Sequence, residues 1–284
     1  TLDERIRNWS VWWMGRSIYF LASETLVLKM PNKSLGQHWL TDRLILEAIV
    51  DCAALTRNDT VLEVGPGLGT LTSAILAQAG KVIAVEFDPE LARKLPGQFP
   101  GTSLEVVRSD ILSYDTRMLP EDVVVIGNIP YYITNKIVRT FTEGPRIPKT
   151  VVLLIQKEVA ERIASSPGDL SVLAISAQIA FDVQLGPDVP AAYFTPPPKV
   201  DSQVIVMHRR EQPLVPVEQR KKFFRLVKAG FSAKRKKLRS ALAGGLAMDK
   251  TAVEKMLDQA GIPPDVRAQE LSIADWLKLL ELLV

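Results

Sequence analysis

Between residues 60 and 156 the chain alternates short, nearly unbroken apolar runs with segments of helical period. The runs are TVLEV (60–64), KVIAVE (81–86), LEVV (104–107), VVVIG (123–127) and VVLLIQ (151–156). They are rich in β-branched residues and lack the polar alternation of a half-exposed strand, so each predicts a strand covered on both faces. Between them TLTSAILAQAG (70–80), closing on Gly80, and PELARKL (89–95) predict helices, with further helical patterns from residues 134 and 157. Upstream, DRLILEAIVDCAAL (42–55) has apolar residues at 45, 49 and 53 and either Thr41 or Asp42 as N-cap, which predicts another helix. Strands alternating with helices imply an α/β fold with a mostly parallel sheet.

The segment FTPPPKVDS (194–202) breaks this rhythm, because its prolines exclude helix and central strand. VIVMH (204–208) then predicts one more strand. Beyond it the pattern turns helical: Phe224, Val227, Phe231, Leu238 and Leu242 follow one another at spacings of 3, 4, 7 and 4, with Lys and Arg on the other faces. The expected organisation is an α/β domain over 33–210 and a small all-α domain over 211–284. Residues 1–32 form an N-terminal extension of different character.

The 284 residues, 47% of them apolar, suffice for one α/β core and a smaller domain. A lone cysteine, Cys52, leaves no internal disulfide and fits a reducing cytoplasm. No run of 18 apolar residues appears, so no membrane span is expected. The net charge of +3 conceals an asymmetry: residues 207–239 carry +10, leaving −7 for the remainder. A basic lobe on an acidic body predicts a polyanionic partner, a solvated helix surface being the plainer alternative. The first 30 residues lack the order of a signal peptide, begin with Thr, and precede Met30, where a native start is expected.

The loop EVGPGLGT (63–70) follows the first strand of the alternating units. Glycines at 65, 67 and 69 let the backbone approach a ligand at the carboxyl ends of the strands. The spacing G-x-G-x-G departs from the dinucleotide fingerprint G-x-G-x-x-G, which tilts the loop away from a pyrophosphate ligand. Glu86 ends the second strand, where a carboxylate accepts two ribose hydroxyls. Asp110 follows the third strand, placed to accept from an adenine amino group. A helix-capping role for Asp88 and Asp110 is the alternative. Three strand-end features in successive units point to a bound adenosyl group.

GNIPYYIT (127–134) leaves the fourth strand with Asn128, Pro130 and two tyrosines. An adenine N6 amine is a poor nucleophile because its lone pair is delocalised into the ring. Two acceptors, the Asn128 side-chain oxygen and the Pro130 carbonyl, would hold both N–H bonds and stabilise the charge that develops on attack. Tyr131 offers a face on which an extruded base stacks. A proline turn with core tyrosines is the competing reading.

The corner resembles the fourth motif of the amino-methyltransferases. LGQHWL (35–40), LEVGPGLGTLT (62–72), GNIPYYIT, QKEVAERI (156–163), LSV (170–172), FTPPPKVDS and FSAKRKKLRSAL (231–242), taken in order, resemble the small-subunit ribosomal RNA adenine N6,N6-dimethyltransferases. That resemblance implies a Rossmann-like class I S-adenosylmethionine-dependent methyltransferase domain with a small all-α C-terminal domain. It implies dimethylation of two adjacent adenosines near the 3′ end of 16S rRNA in the small ribosomal subunit. The methyl donor would be S-adenosyl-L-methionine, with His38, Leu40, Gly65, Gly67, Glu86, Asp110 and Asn128 as cofactor contacts. Asn128, Pro130 and Tyr131 would be catalytic, with Phe194 closing on the target base opposite Tyr131 or, alternatively, bracing the proline run. Lys221, Lys222, Lys234, Arg235, Lys236, Lys237 and Arg239 are expected to grip RNA backbone, since no aromatic residues interleave with them. No metal is expected, and a cytoplasmic monomer suffices. The chain departs from the family pattern at His38 (usually Asn), at Trp39 (usually Phe) and in the short SSPGD stretch before LSV.

Three other functions share parts of this pattern: a large-subunit rRNA adenine methyltransferase of the antibiotic-resistance type, a DNA adenine methyltransferase, and a non-catalytic RNA-binding assembly factor on the same scaffold. FTPPPKVDS with QKEV favours the small-subunit enzymes over the first, and no separate target-reading domain supports the second. The intact corner and glycine loop argue against the third.

Overall fold

A computed structural model describes residues 36–233 and 235–283. The expectations for residues 1–32, including a start at Met30, and for Lys234 lie outside the described residues. Seven strands form one sheet: β2 (Thr60–Val64), β3 (Lys81–Glu86), β4 (Leu104–Arg108), β5 (Val124–Asn128), β6 (Thr150–Gln156), β7 (Phe181–Val189) and β9 (Ser202–Arg209). Their order is β4-β3-β2-β5-β6-β9-β7. The first five run parallel, while β9 lies antiparallel to both β6 and β7. A separate two-residue ladder joins β1 (Trp39–Leu40) to β8 (Phe194–Thr195).

Alternation along each strand sends side chains to two apolar layers. Leu62, Val125 and Leu153 enter one layer with Phe141, while Val61, Val124 and Val152 enter the other with Ile75. The covering helices are α1 (Arg43–Asp51), α2 (Thr70–Gln78), α3 (Pro89–Gln98), α4 (Thr134–Glu143), α5 (Lys157–Ile163) and α6 (Val172–Gln178). Asp42 caps α1 by accepting from Ile45 N at 3.1 Å, and Asp88 caps α3 by accepting from Glu90 N at 2.9 Å. The first helix is shorter than the apolar spacing predicts. It ends at Asp51, and Ala54 just beyond it adopts φ 49°.

The expected strand 204–208 lies within β9, but its partner β7 was not predicted. Its sequence FDVQLGPDV contains both Gly186 and Pro187, and the register with β9 shifts between Leu185 and Asp188. A proline is admissible there because β7 is an edge strand with an irregular register.

Four helices follow: α7 (Arg220–Gly230), α8 (Leu238–Leu246), α9 (Lys250–Gln259) and α10 (Ile273–Leu282). The apolar spacing read through Phe231 and Leu238 crosses a break, because a 3₁₀ turn at Phe231–Ala233 follows α7 before α8 begins. Trp276 sits fully buried in this helical core with Phe223, Leu242 and Leu279. The core also takes in Leu170, Ala174, Ile175 and Ile179. The Gly168 and Leu170 N–H groups donate to the Gln269 carbonyl at 3.0 and 3.2 Å. The helical lobe is thus seated on α6, while Ala177 within that helix and Ala180 just after it belong to the sheet core.

Gly230 ends α7 against the Trp276 ring, and a Cβ there would collide with Cη2 of that ring. Gly230→Ala is expected to lower the unfolding free energy by about 1–3 kcal/mol through overpacking, although alanine is the better helix former. Equilibrium urea denaturation of the two proteins measures it.

Candidate active site

Strands β3 and β4 lie to one side of β2, and β5 and β6 to the other, so the chain reverses direction across the sheet at β2/β5. A crevice opens at the carboxyl ends of strands that diverge in this way. It holds a cavity of about 350 Å³, within the range of about 300–1,000 Å³ that small-molecule sites occupy. His38, Leu40, Gly65, Gly67, Glu86, Asp110, Asn128, Pro130, Tyr131 and Phe194 all line it.

The glycine loop is held in shape from one side. Gly65, Gly67 and Gly69 have φ of 66°, 58° and 83°, in the left-handed region that favours glycine. Glu86 Oε2 accepts from Gly67 N at 3.0 Å and Oε1 from Asp88 N at 2.8 Å. Burial raises the Glu86 carboxyl above its usual range, and these backbone donors work in the opposite direction. Each oxygen keeps lone-pair capacity for a ribose hydroxyl. Phe87, 59% exposed, lines the cavity immediately after Glu86. Sequence reasoning passed over it, although an aromatic residue directly beyond a strand-end carboxylate is a readable sign of a ring-binding face. Asp110 lines the cavity and accepts from Leu112 N at 2.9 Å in a turn; no helix starts there, so it is not a helix cap.

Across the cavity the corner residues are fixed by main-chain contacts. Asn128 Nδ2 donates to the His38 carbonyl at 3.3 Å, which orients the amide and leaves Oδ1 without a partner among the described residues. His38 Nδ1 is 2.6 Å from the Pro196 carbonyl, and its ring stacks at 6.0 Å from that of Tyr131. Since Pro196 O is an acceptor, the His38 proton sits on Nδ1. Tyr131 is half-buried with its hydroxyl 2.7 Å from Ser202 Oγ, and burial raises its phenol above the usual value. Phe194 is only 3% exposed and belongs to the core as well as to the cavity wall. Leu40 contributes its carbonyl to the Thr70 hydroxyl at 2.9 Å.

One expected acceptor is differently placed. The Pro130 carbonyl already takes the Ile133 N–H at 3.2 Å and the Thr134 hydroxyl at 3.5 Å, as the opening of a 3₁₀ turn requires. The Ile129 carbonyl accepts from none of the described residues, and Ile129 lines the cavity. The proline's missing N–H and restricted φ set the turn, and the free acceptor falls one residue earlier than the sequence suggested.

The basic residues lie on α7 and around the start of α8, and none of those described lines the cavity. Lys221, Lys222, Arg235 and Lys236 are exposed. Lys237 instead pairs with Asp265 at 2.8 Å, and Arg239 with Glu254 at 3.1 Å. Those acids lie 15 or more residues further along the chain, so periodicity gave no sign of them. No group of three metal-ligating side chains occurs among the described residues. No helix among them is long and apolar enough to cross a membrane.

Glu63 lies on β2 just before the glycine loop and is fully buried. Burial pushes its carboxyl up to about 8, the Thr72 hydroxyl on α2 offsetting part of the shift and Glu86 adding to it.

The parallel sheet with its antiparallel β9–β7 edge, the glycine loop and the Asn-Ile-Pro-Tyr corner define a class I S-adenosylmethionine-dependent methyltransferase. The residues present fit that cofactor: a glycine loop whose Gly65 faces open space, the fixed Glu86 carboxylate, and Phe87 and Asp110 lining the same cavity. The profile of the ribosomal RNA adenine dimethylase family matches residues 29–284, and the chain belongs to that family. Its methyl donor is S-adenosyl-L-methionine. Ribosomal RNA small subunit methyltransferase A of Dehalococcoides mccartyi strain CBDB1 is 40% identical over 252 residues, 87% of each chain. The protein of that name from Alkaliphilus oremlandii is 38% identical, over 86% of this chain and 89% of its own. Among solved structures, a dimethyladenosine transferase from Plasmodium falciparum superposes with a TM-score of 0.74 at 27% identity, covering 85% of this chain and 96% of that one. The 23S rRNA methyltransferase ErmE gives 0.71 at 30% identity, covering 86% and 98%.

Two outcomes follow from this geometry. A Cβ at Gly67 would lie 2.6 Å from Trp39 Cζ3, at a φ that side chains avoid. Gly67→Ala should therefore weaken S-adenosylhomocysteine binding at least about tenfold, read by calorimetry, with the circular dichroism spectrum retained. Between 4.5 and about 8 the folded protein keeps a proton on Glu63 that the unfolded chain releases, so this group's contribution to stability falls as pH rises through that window. The melting temperature of the wild type should accordingly drop more than that of Glu63→Gln from about pH 5 to about pH 8.

Proposed function

We propose that the protein dimethylates the N6 amines of two adjacent adenosines near the 3′ end of 16S rRNA, on the small ribosomal subunit late in its assembly. It acts as a cytoplasmic monomer. The observation that carries this reading is the Asn128 amide on the cavity wall, whose nitrogen is engaged by the His38 carbonyl and whose oxygen has no partner among the described residues. The bound cofactor supplies a methyl group on a sulfonium, an electrophile that needs no further activation. Asn128 Oδ1 and the Ile129 carbonyl accept the two N–H bonds of the target amine and favour a pyramidal nitrogen whose lone pair is out of conjugation with the ring. Asn128 and Ile129 stabilise the positive charge that develops as the N–C bond forms and the C–S bond breaks. The proton then passes to solvent, and a second transfer completes each adenosine. Tyr131 and Phe194 hold the extruded base between them, and the exposed lysines and arginines of α7 and the turn after it neutralise phosphates.

The likeness to ErmE keeps a second reading in view, methylation of large-subunit rRNA. Under-methylated small subunits and isolated large subunits, incubated with labelled cofactor, separate the two. N6,N6-dimethyladenosine at a tandem pair near the 3′ end of 16S rRNA is expected, while label confined to the large subunit would overturn the proposal. Asn128→Ala should lower kcat by about 100-fold or more with RNA affinity held within about threefold. Equal losses in both would mark a binding protein rather than an enzyme.

A further inference from the structure

The corner contains two tyrosines, and the chemistry above uses only the first. Tyr131 and Tyr132 occupy successive positions of one 3₁₀ turn, Tyr131–Ile133, so their side chains leave the backbone about 120° apart. Tyr131 turns inward to Ser202 and His38. Tyr132 turns outward and is 65% exposed, yet it still lines the cavity, which places it at the mouth. Its Cδ1–Cε1 edge rests beside Gly36, where a Cβ would lie 3.4 and 3.5 Å away, so the ring is braced along one edge. One turn on, Lys136 lines the same mouth, is exposed, and forms no ion pair with a described residue.

An exposed aromatic ring and an exposed ammonium lining the same cavity match the chemistry of one nucleotide: a base face and the phosphate attached to it. A base drawn into the cavity leaves its neighbour without a stacking partner, one phosphate away, at this same mouth. We infer that Tyr132 is a stacking platform, with Lys136 as its phosphate partner, for the nucleotide next to the adenosine held in the cavity. The inference rests on the rRNA adenosine reading above. In a tandem pair that nucleotide is the other target, so the platform would hold one adenosine while its neighbour reacts.

The test uses small subunits reconstituted on 16S rRNA in which one adenosine of the pair is kept and the other is either adenosine or an abasic nucleotide. Methyl transfer to the kept adenosine is measured for the wild type, Tyr132→Ala and Tyr132→Phe. With adenosine as neighbour, Tyr132→Ala should lower kcat/KM about tenfold, mostly through KM, and Tyr132→Phe should restore it. With the abasic neighbour the wild type should lose about the same factor and Tyr132→Ala nothing more, because the two changes remove one contact. Lys136→Ala should reduce the salt dependence of RNA binding by about one phosphate. A Tyr132→Ala loss of equal size on both substrates would place the ring against subunit protein or in maintenance of the fold, and would overturn the platform. No loss on either would overturn it too. S-adenosylhomocysteine titration of each variant reports whether the cofactor site is intact. Wild type that leaves both adenosines unlabelled on the unmodified rRNA would instead remove the functional reading on which the platform rests.

Discussion

The Glu86 carboxylate joins two loops that would otherwise be independent. One oxygen takes the Gly67 N–H from the loop after β2, and the other takes the Asp88 N–H from the turn after β3. With Gly67 held at positive φ, its Cα face is bare, and the Trp39 ring packs onto it. Trp39 belongs to β1, so this contact seats the β1–β8 ladder over the crevice. The His38 carbonyl beside Trp39 then reaches Asn128, and the His38 ring reaches both Pro196 and Tyr131. A buried carboxylate on one wall of the cavity therefore governs, through a glycine and an indole, the orientation of the amide on the opposite wall.

This arrangement explains why the cofactor half and the substrate half of the site need each other. Asn128 ends β5, yet among the described residues its amide bonds only to a carbonyl 90 residues earlier in the chain. Phe194 reaches the cavity on β8, which pairs only with β1 and has no place in the seven-stranded sheet. Anything that displaces β1 disturbs Phe194 and Asn128 together. The bulky Trp39 and the ring of His38 enlarge the contacts across this ladder, and the tautomer imposed by Pro196 keeps the His38 ring in a fixed plane against Tyr131.

Strands β2, β3, β5 and β6 were legible because burial on both faces demands continuous apolar runs, and the glycine loop and Asn128 corner because they punctuate those runs at fixed offsets. The ends of elements were less so: α1 stops at Asp51, with Ala54 at φ 49° just beyond it, a boundary that no apolar period records. Strand β7 escaped notice because an irregular edge strand tolerates Gly186 and Pro187, the residues that argue against a strand in sequence. The two-residue β1 carries no periodicity at all. The availability of the Ile129 carbonyl in place of that of Pro130 depends on which donors follow in the 3₁₀ turn. Hydrogen-bond saturation of that kind is a three-dimensional property. Lys237 and Arg239 read as phosphate contacts for the same reason, since Asp265 and Glu254 become their neighbours only in the helical lobe.

Those ion pairs change how the lobe's charge is used. Lys237 and Arg239 fasten the start of α8 to the acids at 254 and 265, on the same lobe as the buried Trp276. Exposed pairs of this sort add little stability, but they hold the local geometry from which Arg235 and Lys236 project. The positive charge left free is therefore smaller than the sequence total and more directed. Because the helical core also encloses Leu170, Ala174, Ile175 and Ile179, that charge is carried on a platform continuous with α6 and, through Ala177 and Ala180, with the sheet. A polyanion bound there would meet a surface fixed relative to the cavity, so the backbone grip and base capture proposed for this chain would share a common frame.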